Sequence, residues 1–202
     1  MEDYREKIER YISMEKEVLD LLSPDEINEV MNILEDARIN GRRIFICGNG
    51  GSASTASHLE CDFNKGISYD QKVKYDIECL SDNVPMMMAI ANDMGYDEIF
   101  VVPLKNKMKK GDVVIGISGS GNSENLLKAF RYANESGAET IAFTGYSGGK
   151  LKELAKHNIH VNKIEAKNPF LLHAKVGSFL AMERFGVREK DIVNAILNHT
   201  TG

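Results

Sequence analysis

The chain has 202 residues, 43% of them hydrophobic, which is enough to bury one substantial core, so a single domain over residues 1–202 is expected. A net charge of -5 and a pI near 5.6 argue against a sequence-wide affinity for nucleic acid. No apolar run approaches the roughly 20 residues of a membrane span, and the amino terminus lacks the pattern of a signal peptide. The three cysteines are odd in number and lack C-x-x-C spacing, which predicts reduced thiols in a cytoplasmic protein.

Two helices are predicted before the first strand, within residues 1–41. Apolar residues recur at helical spacing over residues 4–22. Ser23 is then an N-cap candidate, and Pro24 suits the first position of a second helix that runs to about Gly41. The apolar content of these helices exceeds what one side of a finished sheet requires. They therefore either pack on their own domain or contribute in part to a contact with another subunit.

Strand and helix patterns alternate through the central part of the chain, residues 42–185. This alternation predicts the α/β class, with a doubly wound parallel sheet flanked by helices on both faces. Residues 186–202 add a short helical extension with one apolar side. The predicted strands are Ile44 to Cys47, Lys74 to Leu80, Val113 to Ile117, Thr140 to Thr144 and Ile159 to Val161.

The segment IGISGSGNSENLLKA joins a buried-strand pattern to the start of a helix through a loop rich in serine and glycine. Free backbone N–H groups and the positive end of a helix dipole meet at such a junction, which favours an anion. Ser118, Ser120 and Ser123 add hydroxyl donors, and Gly119 and Gly121 permit a close approach of the backbone. A helix N-cap alone needs one such residue. The sequence therefore predicts a phosphate site here.

A second loop of the same design lies earlier in the chain, where Gly48 to Gly51 follow a strand and Ser52 begins a helix. Neither a Walker lysine nor the G-x-G-x-x-G spacing of a dinucleotide fold is present, so no nucleotide cofactor is expected. Two such turns at the carboxyl ends of two strands predict a small phosphorylated ligand in the crevice between them.

Four motifs occur in an order and spacing that resemble a known family: GNGGS, AIANDMGYDEIF, GDVVIGISGSGNS and FTGYSGGKL. The sequence is similar to the sugar isomerase (SIS) domain proteins of the phosphoheptose isomerase group, over roughly Met1 to Arg184. The resemblance implies a cytoplasmic homo-oligomer, commonly a tetramer, that acts in carbohydrate metabolism on a sugar phosphate.

The resemblance also implies roles for individual residues in binding the substrate. Ser118, Ser120 and Ser123 correspond to phosphate ligands, in a loop where this chain has Gly119 and the family commonly has threonine. The first loop would contact the substrate through Asn49, Gly50 and Ser52. Asp93 corresponds to a residue that contacts sugar hydroxyls.

His58 and Asp62 lie four residues apart on the helix that follows the first loop, and hence share one face. A histidine and a carboxylate at this spacing can chelate one metal ion, zinc in particular, or form an ordinary surface pair. The resemblance implies a His and a Glu at these positions, so the carboxylate here is shorter by one methylene. Asp62 is then a candidate catalytic base and metal ligand, and His58 a metal ligand.

A late helix supplies a Gln and, eight residues on, a catalytic His in the family. The alignment on LLHAKVGSFLAMERF places Phe170 and Ser178 at those two positions. His173 lies near them and is the remaining candidate for the proton transfer, although a partly buried helical histidine is the simpler interpretation. An alternative register that pairs Glu165 with His173 is poor because Pro169 would interrupt the helix.

Three functions therefore stay open at the level of the sequence, of which the third, a nucleotide enzyme, is supported only by the glycine-rich loops. The first is an aldose–ketose isomerase for a phosphorylated sugar of about seven carbons, such as sedoheptulose 7-phosphate, in which a base moves a proton between adjacent carbons through an enediol(ate). The second is a non-catalytic protein of the same fold that senses a sugar phosphate or docks another protein. Retention of His58, Asp62 and Asp93 favours the isomerase, and the residues at positions 170 and 178 favour the binding protein.

Overall fold

The computed structural model describes residues 3–161, which begin with two helices, α1 (Arg5–Asp20) and α2 (Pro24–Ile39). The predicted cap between them is confirmed, because Ser23 Oγ accepts a hydrogen bond from the Glu26 backbone N–H at 3.2 Å, and Pro24 occupies the first helical position. Helix α2 packs on the sheet through one buried face, and α1 leaves several large apolar side chains exposed.

Within residues 3–161 the sheet has five parallel strands in the order β2-β1-β3-β4-β5, which confirms the predicted α/β class. These strands are short and connect through helices, as is usual for parallel strands, which need a long crossover connection. Their bounds are β1 (Ile44–Gly48), β2 (Ile77–Cys79), β3 (Val113–Ser118), β4 (Glu139–Thr144) and β5 (His157–His160).

Helices cover both faces of this sheet. Strand residues whose side chains alternate in direction form two separate cores: Ile44 and Ile46 pack against α2 and the helix after β1, and Phe45 and Cys47 pack on the opposite face. The helices are α3 (Gly51–Cys61), α4 (Val84–Asp93), α5 (Val101–Lys107), α6 (Glu124–Glu135) and α7 (Gly149–Leu154), with a π-helical turn at Asp62–Ile67 and a 3-10 turn at Tyr96–Glu98.

All five predicted strands have different bounds in the structure, three of them by a single residue, and β2 and β5 by more. Strand β2 covers less than the predicted Lys74 to Leu80, since the Tyr75 N–H bonds to Ser68 Oγ at 2.9 Å and the ladder to β1 begins only at Ile77. Strand β5 starts earlier than the predicted Ile159, at His157, which pairs with Ile141. The polar side chain of His157 is accommodated because it contacts carboxylates on both sides, so apolar periodicity did not reveal it.

The rest of the predicted organisation concerns residues 162–202, which lie outside the described residues; the late helix and the extension at residues 186–202 stay predictions. Among residues 3–161, no helix combines the length and the apolar character that crossing a bilayer requires. The three thiols are unpaired, with Cys47 and Cys79 buried and Cys61 exposed.

Candidate active site

The two serine- and glycine-rich loops meet at one point of the sheet edge. The first loop, residues 48–51, follows β1, and the second loop, residues 118–123, follows β3. Strands β1 and β3 are direct neighbours, and Gly48 lies opposite Ile117 in the register. From β1 the chain continues to β2 on one side of it, and the strands that follow, β3, β4 and β5, all lie on the other side. The gap between β1 and β3 is therefore the topological switch point, where α/β proteins bind ligands.

Three serines of the second loop occupy different environments. Ser118 is buried, and its Oγ accepts a hydrogen bond from the Gly121 N–H at 3.0 Å, so the hydroxyl holds the loop closed and can still donate its own hydrogen. Ser120 is exposed. Ser123 is the N-cap residue of α6 but makes no side-chain capping bond, which leaves its hydroxyl available at the helix N-terminus.

Glycines fix the second loop against the loop that follows β4. Gly121 has φ +65°, and a Cβ at this position would come within 1.8 Å of the Gly148 carbonyl oxygen. The contact is reinforced by two backbone bonds, from Leu151 N–H to the Gly121 carbonyl at 2.9 Å and from Gly145 N–H to the Gly119 carbonyl at 3.2 Å. The second loop is therefore a rigid backbone cradle, for which glycine is required at position 121.

The first loop turns sharply into α3. Gly50, the N-cap residue of α3, has φ +54° and ψ -122°, a conformation that side chains disfavour, although a Cβ there would meet no atom within 4 Å. At Gly48 the limit is space, because a Cβ would lie 2.8 Å from the backbone of Ser52. These glycines bring the start of α3, with Ser52 half-exposed, next to the second loop.

A pair of asparagine amides joins the two loops. Asn49 Nδ2 donates to Asn125 Oδ1 at 3.0 Å, and Asn125 Nδ2 donates back to Asn49 Oδ1 at 2.9 Å. The Tyr96 hydroxyl donates to the same Asn49 oxygen at 2.9 Å. Sequence reasoning missed Asn125 and Tyr96, although Tyr96 lies within one of the motifs that carried the resemblance and Asn125 lies two residues beyond another. The contact itself spans 76 residues of chain, which no local pattern reveals.

The segment around Asp93 approaches the first loop through Tyr96. Asp93 ends α4, is exposed, and accepts a hydrogen bond from Asn92 Nδ2 at 2.8 Å. The following 3-10 turn is attached to α6, because Lys128 Nζ contacts both Asp97 and Glu98. The hydrogen bond from Lys128 lowers the pKa of the Asp97 carboxyl, and these carboxylates raise the pKa of Lys128. Asp93 therefore lies three residues before Tyr96, whose hydroxyl contacts Asn49 in the first loop.

His58 and Asp62 lie on one face of α3 and its continuation, as predicted. His58 Nε2 is 3.1 Å from Asp62 Oδ2, and the imidazole is largely exposed. Glu60 faces away from them and accepts a hydrogen bond from the Cys79 N–H at 2.7 Å. His58 and Asp62 follow Ser52 by six and ten residues, which corresponds to roughly 9 and 15 Å along the helix.

His58 and Asp62 supply too few ligands to hold a zinc ion by themselves. A zinc site in a protein uses at least three protein ligands, and His58 with Asp62 supplies two. Within residues 3–161, the grouping of three potential ligand atoms is a different one, Glu60, Cys79 and Asp82. Burial raises the pKa of the Cys79 thiol to about 12, so that grouping lacks a ready thiolate. The described residues alone do not complete a zinc site.

The remaining predicted catalytic residue, His173, lies outside the described residues, together with Phe170 and Ser178. The structure thus brings together the predicted substrate-binding residues of both loops. It places His58 and Asp62 in mutual contact farther along α3.

Comparison with known proteins identifies the family. A model of the SIS domain matches residues 3–145, well over half of the chain. The chain belongs to the SIS domain family. It is 40% identical over 129 residues to a phosphoheptose isomerase of Helicobacter pylori, covering 64% of this chain and 67% of that protein. A probable phosphoheptose isomerase of Thermoplasma acidophilum is 37% identical over 141 residues, covering 70% of this chain and 77% of the relative.

A solved structure agrees with this assignment. The phosphoheptose isomerase of Neisseria gonorrhoeae superposes with a TM-score of 0.79 at 25% sequence identity, and the match covers 90% of this chain and 96% of that one. The predicted SIS fold, with a doubly wound parallel sheet flanked by helices, is therefore confirmed.

Proposed function

We propose that this SIS protein is a sugar-phosphate isomerase of the phosphoheptose isomerase type, acting on a phosphorylated sugar of about seven carbons. The observation that carries the proposal is the junction of the two loops at the switch point, where glycine-fixed backbone and serine hydroxyls converge next to a positioned amide. Curated relatives at 40% and 37% identity bear the name phosphoheptose isomerase, the second with the qualifier probable.

The phosphate group is assigned to the second loop. Ser120 and Ser123 donate hydroxyl hydrogens, Ser118 and Gly119 contribute the floor of the loop, and the N-terminus of α6 adds backbone N–H groups with a favourable dipole. The twelve-residue length of α6 supports this dipole. Hydroxyl and backbone N–H donors that converge in this way bind an anion.

The sugar part is assigned to the first loop and to α3. Asn49 and Gly50 lie at the start of this helix, and Ser52 in its first turn. Asp93 approaches from α4 and would accept hydrogen bonds from sugar hydroxyls. An extended substrate with its phosphate at the second loop would then lie along α3, towards His58.

The proton transfer is assigned to Asp62. A carboxylate in contact with an imidazole can take a proton from the carbon next to the carbonyl, and the same group returns it to the neighbouring carbon of the enediolate. Side chains of a helix tilt towards its N-terminus, so that of Asp62 would point towards the proposed position of the substrate. His173 stays a second candidate for this step. Zinc, if bound, would polarise the carbonyl, with His58 and Asp62 as two of its ligands.

A second candidate function is a sugar-phosphate sensor or docking protein without turnover. The observation that favours it is the presence of Phe170 and Ser178 where the resemblance leads one to expect Gln and His. Neither side chain can replace the expected one in proton transfer. The two functions share the phosphate site and differ only in the chemistry that follows binding.

The assembly is proposed to be a homo-oligomer, with a tetramer as the expected state, in the cytoplasm. Large apolar side chains of α1 are exposed in the single chain, more than an isolated surface helix needs. Light scattering at micromolar concentration should give a mass of two or four chains, and a monomer would contradict the proposal. The exposed side chains are Ile8, Tyr11, Ile12 and Leu19 of α1, together with Tyr4 at its N-cap.

Proton exchange at C1 of a ketose phosphate separates the two functions. Sedoheptulose 7-phosphate has its carbonyl at C2, so the protein should exchange a C1 proton of this sugar in deuterated water, as followed by NMR with and without zinc. Asp62→Asn should lose most of this exchange with little change in sugar-phosphate affinity, because the loss falls on the transition state. Absence of exchange despite proven binding would favour the sensor, and full exchange by Asp62→Asn would exclude Asp62 as the base.

A further inference from the structure

The amide of Asn49 is held on two sides by groups from distant parts of the chain. Asn125, from the first turn of α6, makes the reciprocal pair with it, and Tyr96 adds a third hydrogen bond. Asn125 is almost completely buried, with 2% of its surface exposed, whereas Asn49 is half-exposed and accessible to a ligand. Asn125 is therefore the buried member of the pair, and Asn49 is the member that a ligand can reach.

The orientation of both amides follows from one backbone group. The Leu126 N–H donates to Asn125 Oδ1 at 2.9 Å and also to the Ser123 carbonyl at 3.1 Å. A flipped Asn125 amide would bring two N–H donors together at this place, so the contact fixes its direction. Asn49 must then present Nδ2 to Asn125 Oδ1 and its own Oδ1 to Asn125 Nδ2. The Tyr96 hydroxyl must donate in turn, because it also meets Asn49 Oδ1.

The remaining hydrogen-bonding capacity of Asn49 can now be counted. Its Oδ1 has two acceptor positions, both used by Asn125 and Tyr96. Its Nδ2 has two hydrogens, one of which goes to Asn125. Asn49 can therefore offer a ligand one further N–H donor and no further acceptor. An asparagine without these partners could rotate its amide by about 180° and offer a ligand either a donor or an acceptor.

We propose that Asn125 is a positioning residue that fixes the Asn49 amide so that it donates to an acceptor oxygen of a sugar phosphate. The inference rests on the proposed function and deepens it by naming how the first loop selects its ligand. The sugar atom in question is a carbonyl, ether or hydroxyl oxygen. Tyr96 has a supporting part, because its hydroxyl occupies the second acceptor position of Asn49 Oδ1.

A purely structural role for a buried asparagine is tested by a matched residue on the same helix. Asn134 lies near the other end of α6, where its Nδ2 donates to the Leu154 carbonyl at 2.8 Å and its Oδ1 accepts from Thr140 Oγ1 at 2.8 Å. Asn134 is half-buried and makes two side-chain hydrogen bonds, against three for Asn125, and it lies nine residues, roughly 13 Å along the helix, from Asn125. Asn134→Leu thus removes helix-anchoring hydrogen bonds without touching the site, and comparison at similar losses of Tm allows for the difference in burial.

The experiment compares sedoheptulose 7-phosphate binding by calorimetry for Asn125→Leu and Asn134→Leu. Asn125→Leu should raise Kd at least about fivefold, and Asn134→Leu should change it less than about twofold, at similar losses of Tm. Asn125→Leu should have no further effect in an Asn49→Ala background, because it acts through Asn49. If turnover is measured, the change should fall on KM rather than on kcat.

Tyr96→Phe keeps the inference testable if Asn125→Leu fails to fold, since Tyr96 is 60% exposed and its ring tolerates the change. This variant should weaken binding about twofold to fivefold. Unchanged affinity in Tyr96→Phe together with unchanged affinity or misfolding in Asn125→Leu would overturn the inference. So would a full additional loss from Asn125→Leu in the Asn49→Ala background. If the wild-type protein itself binds no sugar phosphate, the proposed function fails, and this outcome is distinct from a failure of the variants alone.

Discussion

The two loops of the candidate site reach the same place by different means. The second loop, residues 118–123, is fixed by backbone contacts with the loop after β4, where the Gly148 carbonyl leaves no room for a side chain at Gly121. The first loop, residues 48–51, is fixed by side chains: Asn49 is held by an amide from α6 and a hydroxyl from the 3-10 turn. The second loop therefore presents a rigid set of backbone and hydroxyl groups, and the first loop presents a single positioned amide.

This difference corresponds to the chemistry of the two ends of a sugar phosphate. A phosphate presents several equivalent oxygens, which many convergent donors of a fixed cradle can bind in any rotation about its ester bond. A sugar presents distinct oxygens, and one amide with a fixed donor direction can discriminate among them. The comparison predicts that changes in the second loop affect folding or overall affinity, and that changes around the first loop affect selectivity.

The largest effect is expected from Gly121→Ala. The new Cβ would lie 1.8 Å from the Gly148 carbonyl oxygen at a positive φ, so the backbone of one loop must move. We expect the free energy of unfolding to fall by at least about 3 kcal/mol, measured by urea denaturation. Gly50→Ala is the matched control, because its φ is also positive but its Cβ meets open space, and it should cost roughly 1 to 3 kcal/mol of backbone strain. Equal losses would contradict the packing argument.

An intermediate effect is expected from Ser123→Ala, and it should fall on binding rather than on stability. Ser123 caps α6 without a side-chain bond, whereas Ser23 caps α2 with a bond to the Glu26 N–H. Ser23→Ala should therefore cost about 1 kcal/mol of stability with no change in phosphate affinity. Ser123→Ala should cost less stability and weaken sugar-phosphate binding about fivefold. If Ser123→Ala lost stability and kept its affinity for the sugar phosphate, Ser123 would have only a capping role.

The smallest effect concerns the attachment of the 3-10 turn to α6 and depends on pH. Lys128 lowers the pKa of Asp97, so this ion pair stabilises the fold above the unfolded-state pKa of Asp97. Its contribution is lost as pH falls through the still lower pKa of the folded state. The difference in Tm between wild type and Lys128→Met should therefore be constant from pH 5 to neutrality and should shrink below about pH 4. A constant difference down to about pH 2 would contradict the pairing.

The sequence predicted those parts of the site that local chemistry determines. Serine and glycine at the ends of apolar strands predicted both loops, and the spacing of His58 and Asp62 predicted their contact. The pairing of Asn49 with Asn125 was not predictable, because it depends on β1 and β3 becoming neighbours. The start of β5 at His157 was missed for a related reason. Its partners Glu29 and Glu139 are brought to it only by the fold, so a polar residue occupies a strand.

Calorimetric titration of wild type and Ser120→Glu with sedoheptulose 7-phosphate tests the central claim most directly. Ser120 is exposed in the second loop, so a glutamate there should leave the fold and the Tm nearly unchanged. Its carboxylate would stand where the phosphate is assigned and repel it. Wild type should bind the sugar phosphate measurably, and Ser120→Glu should show no binding. Equal affinity of the two proteins would contradict the assignment of the phosphate to this loop.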